Sequence, residues 1–215
     1  MIAVALHEAR MIGRRAIWPA VLILHAAATA SFVIVWGPTG GVPLWQASLL
    51  EQLTAMDRLA AAALLTWLAT AVLTDDGARR LADWSALAGL PTATVFRARI
   101  TALVTLSLVF IAVAAPAFVA AGEISAATPR DIARHIGMSL GFSALAAGVT
   151  AAASVALRDR VGVWCTAMAV CLIAALGVRM LPTDLMRMLA PAIAGLIMLA
   201  AVPSMLRSRR VTDGD

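Results

Sequence analysis

The stretch ITALVTLSLVFIAVAAPAFVAA, Ile100 to Ala121, carries no charged residue. It matches the roughly 20 apolar residues that a helix needs to cross a bilayer. Working outward, five more runs of the same kind appear at about 16–36, 53–73, 132–157, 161–177 and 189–206. Six spans and short joints use nearly all of the 215 residues. The sequence therefore predicts an all-α integral membrane protein, a single transmembrane domain over 1–215 with no stretch left for a soluble domain. Composition agrees: 62% of residues are hydrophobic and 13% charged, against about a quarter charged in average soluble domains.

The fourth run is rich in alanine, glycine and serine, and Gly137, Gly141, Ala144, Gly148 and Ala151 recur at helical spacing. In lipid such a small-residue stripe lets helices approach closely, so it is read as packing rather than function. Before the first run, Arg14 and Arg15 with Ala28-Thr29-Ala30 imitate a cleaved leader. The apolar run continues to Trp36, however, which predicts a retained anchor. Cys165 and Cys171 lie six positions apart in one span and face different sides of a helix, which argues against a disulfide between them and offers no metal motif.

All the basic charge is arginine, and its distribution sets the orientation. With the N-terminus inside, the cytoplasmic segments hold Arg10, Arg14, Arg15, Arg79, Arg80, Arg97, Arg99, Arg158, Arg160, Arg207, Arg209 and Arg210. The opposite side receives only Arg58, Arg130, Arg134, Arg179 and Arg187. The positive-inside rule then predicts a multi-pass protein of the bacterial cytoplasmic (inner) membrane with both termini cytoplasmic. It also accounts for the net charge of +5 without nucleic acid. Trp18, Trp36 and Trp164 fall near predicted span ends, as interfacial tryptophans do.

The joint between the second and third spans, TDDGARRLADWSALAGLP (Thr74 to Pro91), reads as an amphipathic helix at about 75–90. Thr74, Asp75 and Asp76 suit a helix start, where negative charge complements the helix dipole. Leu81, Trp84 and Ala88 line one face with Leu87 at its flank, Arg79 and Asp83 pair across the other, and Pro91 stops the helix. The simple expectation is a helix resting in the headgroups; the functional one is a helix that docks into a partner.

The short basic N-terminus, six spans and acidic-then-basic joint ending in proline resemble the permease of type-2 ATP-binding-cassette exporters. In that family the joint is the coupling helix that contacts the nucleotide-binding subunit. The matching elements here are Asp75, Asp76, Gly77, Leu87, Pro91 and Arg99, while the usual Gly-Thr pair is Gly77-Ala78 and the usual lysine is arginine. The resemblance implies partner contacts through Asp75, Asp76, Arg79, Arg80, Leu81, Asp83, Trp84, Leu87 and Pro91. It also implies cytoplasmic ATPase subunits that carry ATP and Mg, and a second identical or homologous permease chain. This chain itself would hold no cofactor and no catalytic residue, because Walker A chemistry needs a lysine and there is none. Thr183 to Met188 would correspond to a short external helix before the last span.

Two rival readings compete with this one. The lipid-headgroup transferases resembling CDP-alcohol phosphotransferases need Asp-Gly-x-x-Ala-Arg followed by further aspartates to hold divalent metal. Asp76-Gly77 begins that pattern, but Ala78-Arg79-Arg80-Leu81 breaks it and Ala93 stands where an aspartate is required. The other alternative is a non-transporting scaffold or assembly subunit, similar to the haem-handling permease of cytochrome c maturation. His7, His25 and His135 lie in different segments and suggest no ligand set; His25 reads as a helix-packing residue.

Two polar features remain near the external side. With the second span starting near Leu53, Asp57 falls within about 6 Å of its outer end at 1.5 Å per residue, so Asp57 and Arg58 are expected to snorkel. The alternative puts them on a water-filled substrate path. Arg130, Asp131, Arg134 and His135 form a second cluster, expected at a solvated span end. The arginine asymmetry generates a direct test: a reporter fused after Asp215 should read cytoplasmic and one inserted near Thr39 external. A periplasmic C-terminus would refute the six-span arrangement.

Overall fold

The structure, a computed structural model, describes residues 17–42, 47–74, 92–157 and 159–212. Those residues form six helices long and apolar enough to cross a membrane, with no strand among them. We label them α1 (Ile17–Trp36), α2 (Leu49–Thr74), α3 (Thr92–Ile124), α4 (Pro129–Ala156), α5 (Arg160–Arg179) and α6 (Asp184–Thr212). The expected helix at 75–90, with Asp75, Asp76, Arg79, Arg80, Leu81, Asp83, Trp84, Leu87 and Pro91, lies outside the described residues.

Two helices begin earlier than their apolar runs, for a local reason. Ser48 accepts from the Glu51 amide while Glu51 accepts from the Ser48 amide, and Thr128 and Asp131 repeat this reciprocal cap on α4. Each box satisfies amides that would otherwise end the helix at the first apolar residue. The expected short helix at Thr183–Met188 is instead the first turn of α6, which runs unbroken from Asp184. Within the apolar spans, hydroxyls return to their own helix. Thr29 donates to His25 O at 3.0 Å, Ser107 to Leu103 O at 2.9 Å and Thr150 to Ala146 O at 2.7 Å. Such back-bonding hides a polar group where no water is available to meet it.

The central helix is α4, which packs against α2, α3, α5 and, most extensively, α6. The small-residue stripe makes that last contact. A Cβ at Gly148 would stand 2.5 Å from Gly195 O, and one at Gly141 2.5 Å from Met188 O. A Cβ at Gly195 would collide with the Ala144 carbonyl. Two backbones in direct contact gain dispersion that larger residues would forbid, which is how apolar helices associate in lipid. Burial follows: the α4 span is 72% buried, against 22% for α5 and α6 and 28% for α1. The peripheral helices turn Ile23, Ile34, Ile173, Leu176 and Ile197 outward.

Trp18 falls at the start of the first span, as expected, and its side chain is buried in the core with Val21, Leu68 and Val72. Cys165 is exposed and Cys171 buried, and both are free.

The α4–α6 crossing predicts its own sensitivity. Gly148→Val or Gly195→Val should separate the helices and cost about 1–3 kcal/mol or more, since backbone atoms cannot give way. Gly177→Ala, with nothing within 4 Å of the new Cβ, should be near neutral. Thermal melting in detergent should rank the three in that order.

Candidate functional site

The second span is a helix with a fault in it. Ala61–Leu65 forms a π-turn between the α-helical segments Leu49–Ala60 and Thr66–Thr74. A π-turn shifts the ladder by one residue and leaves carbonyls short of their usual donors. Here Thr66 Oγ1 donates to Ala62 O at 2.5 Å, and the Trp164 indole reaches across from α5 to Ala63 O at 3.3 Å. Trp164 thus ties α5 to the fault in α2.

Directly before the fault, two adjacent charges diverge. Successive side chains on a helix point about 100° apart, and Asp57 and Arg58 go to different neighbours. Asp57 is fully buried against α1, where His25 Nε2 lies 3.1 Å from its Oδ1. His25 is also fully buried and stacks on Phe110 of α3, with ring centroids 3.8 Å apart. Neither ring nitrogen and neither carboxylate oxygen has a well-formed hydrogen bond, so the pair depends on proximity alone. The contact is an ion pair when the ring is protonated. This overturns the expected snorkelling: α2 begins at Leu49, so Asp57 sits more than two turns inside the helix and its carboxylate reaches another span instead of water.

Arg58 turns the other way, into a cavity of about 420 Å³ at the Leu49 end of the bundle. Glu51 and Gln52 lie at its mouth on α2, Arg134, His135 and Met138 line it from α4, and Arg179, Asp184 and Arg187 close it from the α5–α6 turn. Thr54 and His135 join α2 to α4 across its wall, 2.8 Å apart. Asp184 is shared, accepting from Arg134 Nη1 at 2.9 Å and from Arg187 Nη1 at 3.4 Å. Arg187 also donates to Leu181 O at 3.0 Å and Arg179 O at 3.3 Å, which fixes the turn. Glu51 is occupied by its own helix cap. Four guanidiniums therefore face two carboxylates, and neither Arg58 nor Arg179 makes a salt bridge or side-chain hydrogen bond with a described residue.

Of Asp57 and Arg58, the candidate substrate path in the sequence, only Arg58 lines the cavity. Arg134 and His135, expected at a solvated span end, line it as well, and His135 is buried. For Arg179 and Arg187 the sequence offers only their place in the arginine asymmetry. Yet the five arginines that the topology expectation sets apart from the other twelve are informative, because four of them meet in this one cavity and Arg130 lies in the adjoining groove. His25 lost its significance in the sequence because its partner is in another span. No protein-family model, no curated protein and no solved structure matches the chain.

The buried pair yields a prediction. His25→Leu alone leaves the Asp57 carboxylate facing an apolar neighbour and should cost about 3–5 kcal/mol, as should the converse Asp57→Leu. The double substitution should recover much of that loss, since both polar groups leave together. Denaturation of the four proteins in micelles gives the cycle, and strictly additive losses would show that the pair is uncoupled.

Proposed function

We propose that this chain is the membrane-spanning permease subunit of an ATP-driven ABC transporter, working as an exporter. In this reading separate cytoplasmic ATPase subunits bind ATP and Mg, and a second identical or homologous permease chain completes the assembly. The chain sits in the bacterial cytoplasmic membrane with both termini inside, and the joint at 75–90 is its coupling helix.

The observation that carries the proposal is the construction of α2. One helix leads from the amphipathic joint after Thr74, through the π-turn at Ala61–Leu65, to Asp57, Arg58 and the cavity at its far end. Charged groups deep in an apolar span are costly and in membrane proteins commonly mark a pathway. π-turns inside α-helices frequently sit at functional sites. A push on the joint would travel along α2 to the π-turn and change how the charged segment seats between α1 and the cavity. The outward apolar faces of α1, α5 and α6 leave room for a second chain as well as lipid.

The test is retention of an ATP-hydrolysing partner. The tagged chain, extracted from its native membrane in mild detergent, should bring down ATPase activity. Trp84→Ala removes an aromatic anchor of the kind worth about 2 kcal/mol or more at an interface, roughly a thirtyfold loss of affinity. It should abolish that activity without impairing membrane insertion, and charge reversal at Arg79 and Arg80 should weaken it through electrostatics. Wild-type protein that brings down no ATPase, or coupling that survives both changes, would favour the scaffold alternative.

A further inference from the structure

The cavity at the Leu49 end has an electrostatic imbalance that the chain does not resolve by itself. Arginine stays charged at any physiological pH, and a buried charge without a partner costs several kcal/mol even after relaxation. Arg58 is only 6% exposed and its Nε has no hydrogen-bond partner, yet it faces Arg179 and Arg187 across the same space. Arg134 and Arg187 are held by Asp184, so their positions are fixed before anything binds. Arg58 and Arg179 keep their guanidinium donors uncommitted. The space between them, about 420 Å³, falls within the range of about 300–1,000 Å³ typical of small-ligand sites.

We infer that this cavity binds an oxyanion of the phosphate type, with Arg58 and Arg179 as the ligating guanidiniums and the Arg134–Asp184–Arg187 cluster as the frame that holds the wall open. Guanidinium donors match a tetrahedral phosphate in paired, charge-assisted hydrogen bonds. The bound charge would offset the repulsion of Arg179 and Arg187, which outweighs the pull of the adjacent Asp57 on Arg58. The same chemistry is offered by a free phosphate compound and by a phospholipid headgroup. Met180, Leu185 and Met186, neighbours in sequence of Arg179, Asp184 and Arg187, are exposed and would offer acyl chains an apolar contact beside such a headgroup. The inference does not rest on the exporter reading, since binding requires neither ATPase nor second chain.

Two measurements on the purified full chain separate the sources. In nanodiscs of phosphatidylcholine alone, calorimetric titration with inorganic phosphate and with pyrophosphate reads free-anion binding. Native mass spectrometry after transfer from nanodiscs containing phosphatidylglycerol reads retention of an anionic lipid. At least one should be positive and should weaken as salt screens the charges. Arg58→Gln and Arg179→Gln should each weaken it by about tenfold or more, while Arg130→Gln, outside the cavity, should not. Arg58→Gln should melt no lower than the wild type, because it removes an unpaired buried charge, and the exposed Arg179 provides a second variant with no role in packing. Absence of both signals, or binding indifferent to both substitutions, overturns the proposal.

Discussion

Inside a bilayer a polar group has no water to fall back on, so the protein must satisfy it or bear its cost. Most of this structure obeys that constraint by local means. Thr70 and Thr74 donate to carbonyls one turn back, at 2.7 Å each, and repeat what Thr66 does at the π-turn. The exceptions are concentrated. His25, Asp57 and Arg58 hold buried nitrogen or oxygen atoms without a hydrogen-bond partner, as do the hydroxyls of Ser139 and Ser143 on the facing helix α4. Polar atoms left unsatisfied in a region otherwise so carefully closed are costs retained for a reason other than stability.

The scaffold that holds this region is correspondingly rigid. Because α4 and α6 meet backbone to backbone at Gly148 and Gly195, their relative position leaves almost no room to adjust. Asp184, at the start of α6, then grips Arg134 of α4 at the same end of the bundle where the cavity opens. Both charges are well exposed, so the bridge adds little stability of its own, but it orients two arginines on a fixed wall. The irregular wall of the cavity is α2, which carries the π-turn at Ala61–Leu65.

What was legible in the sequence divides along the same line. The six apolar helices were readable because the length and apolarity of each are local properties of one run. The earlier starts of α2 and α4 were also written locally, in Ser48-x-x-Glu51 and Thr128-x-x-Asp131, although hydropathy alone passes over them. The burial of Asp57 was not legible, because it depends on a histidine more than thirty positions away on another helix. The π-turn likewise has no signature in Ala61–Leu65, since the donor that makes its freed carbonyl tolerable is Trp164. The cavity was half legible: the minority arginines could be counted as exceptions, but only the fold shows that four of them converge.

A mechanical consequence follows from how α2 and α5 are joined. The two helices run in opposite directions, and Trp164 fastens the start of α5 to the π-turn while Arg179 at its other end reaches the cavity that Arg58 enters from α2. The π-turn begins three residues beyond Arg58, about 4.5 Å along the axis, so any change in its winding rotates Arg58 relative to Arg179. Bringing the two guanidiniums together is repulsive when the cavity is empty and favourable when an anion lies between them. In the proposed transporter, occupancy of the cavity and the state of the joint after Thr74 would then be linked through α2, each biasing the other by the same free energy. A charge kept unpaired inside the bundle is what gives such a linkage its strength, because an arginine already neutralised by the protein would have nothing left to gain from the ligand.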